Sequence, residues 1–345
     1  MTRGADEDQN DVPLPRETTV LFGHEGAERE FLAVYRSGRV PHAWLIGGEP
    51  GIGKATLAYR IARFVLAEPD PSRVSTADTL ALDPAHRTVR RVAVNAHPDL
   101  LALERTPGDS GKMRTVITVE QVRRLATFFG STAGEGGWRV CIVDSADELK
   151  YPEGSNALLK MLEEPPPRSL FLLVSHAPGR LLPTIRSRCR RLALRPLGQG
   201  DVVRAASTAL GADADDSAVA AAAAAARGSV SQAIALAGGP MLALRKKVAE
   251  LLSALPSTDP RALHALGDEL DRDRDRGLLD VFVGAVRDWL SGRLNTEVGN
   301  LTRLARTADL WERLNRSARD VEVYNLERKP FVFTIFGLLA EASRG

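Results

Sequence analysis

Cysteine is nearly absent. Cys141 and Cys189 are the two in 345 residues, and they stand far apart in the chain. Such a pair forms no metal-ligand cluster and no disulfide framework, and both read as buried thiols of a reducing compartment. Long apolar runs are missing too: none approaches the roughly 18 residues of a membrane span. Neither sign of charge is in excess, since 46 basic and 44 acidic residues leave a net charge of +2. That excludes a chain-wide nucleic-acid footprint and leaves only a local patch for such contact. The opening MTRGADEDQNDVPLPRE is acidic and polar, unlike a secretory signal. Residues 1–16 are expected to be a disordered tail on a cytoplasmic protein.

What is present describes a soluble globular chain, 44% apolar and 26% charged. Its length exceeds one small core and calls for two or three domains. Up to residue 195 short apolar runs at 43–46, 139–143, 170–175 and 191–194 alternate with helical stretches. That alternation predicts buried strands of a parallel sheet with helices on its faces. Residues 68–100, rich in Pro, Arg and Asp, read as an insertion between core elements. Beyond residues 196–198 everything reads as helix. An alanine-rich helix is expected over 215–227 with Gly228 as its cap. Leu278, Phe282, Val286 and Leu290 form an apolar stripe in a longer helix, and 325–342 form a closing apolar helix that must pack on its own domain or on a partner.

The stretch GGEPGIGKATLA carries chemistry. Gly48, Gly53 and Lys54 fit the phosphate-loop spacing G-x-x-x-x-G-K-[ST], with Gly51 inside the loop. Backbone N–H groups of such a loop, opening on a helix N-terminus, attract anions, and a lysine adds a point charge at the outer phosphates. Leu57, Ile61, Phe64 and Val65 recur at helical spacing straight after it, the strand–loop–helix setting that the motif needs. The last position should carry a hydroxyl for Mg²⁺, and it is Ala55. Thr56 brings a hydroxyl one residue later, turned about 100° round the helix and so away from the phosphates.

A second motif, RVCIVDSADEL, is an apolar strand ending in an acid, with Asp144 placed to help hold the metal; the same carboxylate could instead cap the following turn. The next residue, Ser145, cannot act as a general base. A third stretch runs from a helix capped by Ser155 or Asn156, with Leu158, Leu159 and Leu162 on its apolar face, through three prolines and a strand to Ser187-Arg188-Cys189. By spacing alone, Arg188 is one charge in the run Arg186, Arg188, Arg190, Arg191.

Residues 21–197 resemble the AAA+ clamp-loader family of bacterial replication, through RVPHAWLIGGEPGIGK, HPDL, NALLKMLEEPP and LLPTIRSRC. The resemblance implies an α/β fold: an AAA+ αβα domain with a parallel sheet over 17–195, a small helical lid over 196–241 and an all-α oligomerisation domain over 242–345. It implies that active members carry a Glu where Ser145 stands, to polarise the attacking water, and a sensing Arg in the lid where Ser231 stands. It also implies a four-cysteine zinc module, yet residues 68–100 hold no cysteine, and His86 and His97 alone are too few ligands. Three elements of one chemistry are altered, at Ala55, Ser145 and Ser231. The expectation is a subunit that does not hydrolyse ATP and requires no cofactor and no zinc. Gly48, Gly51, Gly53, Lys54, Thr56 and Asp144 would form a degenerate nucleotide site with at most weak ATP binding.

Arg188 survives, and the resemblance gives it to a neighbour's active site as an arginine finger in trans. The partners implied are ATP-hydrolysing motor subunits, a clamp-opening subunit, the sliding clamp and, through the complex, primed DNA, as a component of a polymerase holoenzyme. Two rivals stand beside this expectation. An active AAA+ motor predicts a hydroxyl at 55 and Glu at 145. A DNA-binding adaptor using the basic run 184–195 predicts a broad positive face.

Overall fold

The computed structural model describes residues 12–74, 77–108, 113–135, 137–213, 216–237, 240–272, 277–296 and 301–344. Two compact units divide the chain after Ile234. The first is built on five parallel strands in the order β2-β3-β4-β1-β5: β1 (Ala43–Gly47), β2 (Leu100–Glu104), β3 (Arg139–Asp144), β4 (Ser169–Ser175) and β5 (Arg190–Ala193). The three central strands are apolar at successive positions because both faces are covered. On one face Leu45, Cys141, Val143, Phe171 and Leu173 pack under α4 (Val119–Gly130), α5 (Glu153–Glu163) and α6 (Pro183–Arg188). On the other, Trp44 meets Phe31 of α1 (Glu25–Arg36) at 5.1 Å between ring centres. Leu57, Ile61 and Val65 of α2 (Lys54–Ala67) are buried as well. This is the αβα arrangement, a parallel sheet between helical layers, that the resemblance implies.

Four local expectations need correction. The run at 191–194 is an edge strand, with Leu192 turned inward and its neighbours exposed, because β5 has a partner on one side only. The helix expected to start at Ser155 or Asn156 starts at Glu153, and Ser155 lies buried inside it. The supposed insertion holds a helix, α3 (Arg87–Ala93), whose first turn is capped by the His86 ring accepting from the Thr88 N–H at 3.2 Å. It then leads into β2, a strand the sequence pattern passes over. Residues 1–11 of the expected tail lie outside the described residues. Residues 14–17 form a turn, and Arg16 is tied to α3 and to Arg63 of α2.

The lid follows: α7 (Gln199–Leu210), α8 (Ser217–Ala225) and α9 (Val230–Ala237). Asp216 caps α8 by accepting from the Ala218 and Val219 N–H groups; Asp215, in the expected helix, lies outside the described residues. The second unit is helical: α10 (Pro240–Ser253), α11 (Pro260–Arg272), α12 (Leu278–Thr296), α13 (Leu301–Val323) and α14 (Arg328–Arg344). The stripe Leu278, Phe282, Val286 and Leu290 is buried in it. The closing helix packs on its own unit, with Phe331 and Phe336 against Phe282 at 5.8 and 6.3 Å. Among the described residues no helix is long and apolar enough to cross a membrane.

Candidate functional site

Strand β1 delivers the chain into the loop 48–53, and α2 leaves it with Gly53 as N-cap. Gly51 adopts φ +76°, in the left-handed region that glycine tolerates. A Cβ there would meet Ser231 Oγ at 2.0 Å and Ser229 Oγ at 2.2 Å, so the lid touches the loop at its tightest point. The loop's outward carbonyls are held in succession. Lys54 Nζ donates to Glu49 O, Ser229 Oγ to Pro50 O at 3.1 Å, the Val230 and Ser231 N–H groups to Gly51 O, and His24 Nε2 to Ile52 O at 2.6 Å. The N–H groups of Gly51, Ile52, Gly53, Lys54 and Ala55 donate to no group among the described residues. A concave set of amides therefore remains where phosphates sit in such loops.

Lys54 and Asp144 face each other's electrostatic influence. Lys54 is 2% exposed, and burial lowers its ammonium to about 8 against the opposing pull of Asp144, Asp147 and Glu49. Burial likewise pushes the Asp144 carboxyl up to about 6, helped by Glu104 and Glu148 and opposed by Lys54 and Arg105. Among the described residues no ion pair joins the two. Neither Ala55 nor the partly buried Thr56 adds a charged group to this corner.

At the end of β3 the sequence offers two further acids: Glu148, which pairs with Arg105 at 2.9 Å, and Asp147. The Asp147 carboxylate is turned to structural use. It accepts from Ser145 Oγ at 3.1 Å, Ser175 Oγ at 2.8 Å, and the His176 and Ala177 N–H groups. These bonds tie the C-terminal ends of β3 and β4 together. Ser145 itself is 2% exposed.

Arg188 is the last residue of α6, anchored by buried Ile185 before it and by Cys189 after it. Its guanidinium lies on the outside of the domain. One terminal nitrogen donates to Thr184 O at 3.0 Å, and the other lies 2.8 Å from Glu163 Oε1 at the end of α5. The rest of the basic run does not share this setting. Arg190 pairs with Glu30 at 3.1 Å and lies over the Trp44 ring. Sequence reasoning named Arg188 but gave no role to Glu163, Asp147, His24 or Ser229, although Glu163 and Asp147 lie inside quoted motifs.

Both cysteines are buried and unpaired by disulfide, and burial pushes the Cys189 thiol up to about 12 and Cys141 higher still. His86 caps α3, and the His97 ring accepts from the Asp99 N–H at 3.2 Å with its other nitrogen 3.8 Å from Glu135. Among the described residues no three His, Cys, Asp or Glu side chains are grouped to hold a metal ion.

Comparison with known proteins agrees with the first unit. Residues 23–198 match the family described as DNA polymerase III, delta subunit. The DNA polymerase III subunit delta' of Pseudomonas aeruginosa is 38% identical over 148 residues, covering 43% of this chain and 41% of that protein. The Escherichia coli subunit delta' is 34% identical over 167 residues, covering 48% and 46%. The chain thus spans less than half the length of these curated relatives. The gamma subunit of Buchnera aphidicola is 27% identical over 239 residues, covering 64% and 58%. Among solved structures, a DNA polymerase III gamma subunit-related protein of Thermotoga maritima overlays with a TM-score of 0.43 at 17% identity, covering 90% and 99%. With half of its residues under that family's model, and delta' subunits among its relatives, the chain belongs to the DNA polymerase III delta subunit family.

Proposed function

We propose that the chain works as a delta'-type subunit of the DNA polymerase III clamp loader, that it does not hydrolyse ATP, and that it lends Arg188 to a neighbouring motor subunit. The observation that supports the first half is the fate of the acids at the end of β3. Ser145 stands where the base would be; of the two acids that follow, Asp147 is held by four donors at the ends of β3 and β4, and Glu148 pairs with Arg105 at 2.9 Å. An acceptor so engaged is poorly placed to take a proton from water. With Ala55 lacking a hydroxyl for Mg²⁺, the loop amides and Lys54 are left to hold nucleotide weakly at most, and no cofactor or zinc is required. Ala55, Ser145 and Ser231 speak against an active motor.

Arg188 supports the second half. It is a long fork on a fixed base at the surface, and such a fork can span two phosphate oxygens. An aimed cation at a developing phosphoryl charge is worth about 10³–10⁵ in rate. The partners in this reading are gamma/tau-type motor subunits, a clamp-opening delta-type subunit, the sliding clamp and primed DNA in the cytoplasm. The isolated chain is expected to turn over no ATP above a Lys54→Ala control. Turnover that vanishes in that control would assign it a motor's role. In a reconstituted complex, Arg188→Ala is expected to leave assembly intact and slow clamp- and DNA-stimulated ATP hydrolysis, partially if other subunits supply fingers elsewhere. Arg188→Lys should be defective too, because a point charge does not reproduce the planar fork. Equal rates in assembled complexes would reduce Arg188 to a surface charge.

A further inference from the structure

Glu163 is the last residue of α5, at the carbonyl end of a helix, where a negative charge is unfavourable. It therefore does nothing for its own helix. Among the described residues it has one ion-pair partner, the Arg188 guanidinium at 2.8 Å. That guanidinium meets the Glu163 carboxylate with one terminal nitrogen and donates to the Thr184 carbonyl of its own helix at 3.0 Å with the other. Its two terminal nitrogens, the prongs that would grip a phosphate, are thus both engaged within the chain.

We propose that Glu163 is a positioning residue for Arg188: it parks the finger on its own subunit, so that the fork is released only to a stronger anion. The inference rests on the reading of Arg188 as a trans-acting finger. The parked pair is half-exposed, at 35% and 42% for the two side chains, and so is weak by design. An exposed pair of this kind biases an equilibrium by no more than about fivefold. A single carboxylate holds a lone guanidinium in one place, and a nucleotide's terminal phosphate, with more charge and more acceptor oxygens, outcompetes it. A surface carboxylate, a backbone carbonyl or an incompletely docked neighbour does not. Glu163 would in this way lower basal hydrolysis by a neighbour that is not fully seated, at a small cost to the seated state.

The test uses the full reconstituted complex, with kcat and KM for ATP measured with and without clamp and primed DNA. Glu163→Gln removes the charge at nearly constant shape, and Glu163→Ala removes the acceptor. Because the side chain is exposed, each variant should keep the wild-type unfolding midpoint. Both are expected to raise kcat in the absence of clamp and DNA by about two- to fivefold, with KM little changed. The gain should narrow as salt is added, because the pair removed is screened. In an Arg188→Ala background the same substitutions should have no effect, since Glu163 acts through Arg188. If Arg188→Ala slows the complex but Glu163→Gln leaves basal kcat at wild type, the parking role is overturned and the finger stands. If Glu163→Gln still changes the rate without Arg188, Glu163 acts by another route and the proposal fails. If Arg188→Ala itself changes nothing, the finger reading falls and takes this inference with it.

Discussion

A half-buried carboxylate within the electrostatic reach of a buried ammonium makes the strand end of the first unit sensitive to protons. The Asp144 carboxyl is raised to about 6, chiefly by burial, from an ordinary value of about 4. The folded chain therefore binds its proton more tightly than the unfolded chain does. The stabilisation this supplies is complete below pH ~4 and is lost as pH rises through ~6. Asp144→Asn removes the titration. Urea unfolding midpoints measured from pH 4 to 7 should show wild type losing ground to the variant across pH ~4–6, with a constant difference above that window. A constant difference throughout would mean that the carboxyl titrates normally. Lys54 is not the source of this slope, since its ammonium, lowered to about 8, stays mostly charged over the same range.

At the level of elements, the loop between β1 and α2 was legible because glycine and lysine at fixed spacing have few other uses. The buried strands β1, β3 and β4 were legible because a sheet covered on both faces demands continuous apolar runs. Where one of those conditions lapses, legibility lapses too. β2 is as apolar as the others but follows a Pro- and Arg-rich stretch, and α3 is too short to display a helical stripe. β5 reads as buried by composition, yet at the sheet's edge Leu192 alone turns inward. The start of α5 was misplaced because Ser155, a good cap in isolation, is instead packed inside the helix. Of the site, the residues lost from the motifs were visible, but what replaces them was not: no spacing rule says that Asp147 turns toward β4 or that Glu163 meets Arg188. The bonding of α9 to the loop belongs to this same class, and it has a test. Gly51→Ala puts a side chain into left-handed backbone, at about 1–2 kcal/mol, and drives it into the Ser229 and Ser231 hydroxyls. Hydrogen exchange should show the amides of α9 losing protection ahead of the sheet, whereas Gly26→Ala, which has open space around it, should not.

For the molecule as a whole, the division after Ile234 separates a sheet-centred unit from a helical one with its own aromatic core. A chain ending after Ala237 retains every strand and both helical layers over them. It should fold by itself, with a cooperative urea transition and near-UV ellipticity from Trp44 and Trp138. A broad, non-cooperative transition would mean that the first unit depends on the second. The all-α second half was foreseen as a class, but not where α14 would pack; that depended on Phe331 and Phe336 finding Phe282. The tie between loop and lid then sets the mechanical character of the first unit. Glu49, Pro50, Gly51 and Ile52 each present a carbonyl already gripped from the chain's own side, two of them by the lid. A part braced in this way moves as one piece: a push on α9 is passed straight to the loop and, through it, to β1 and α2.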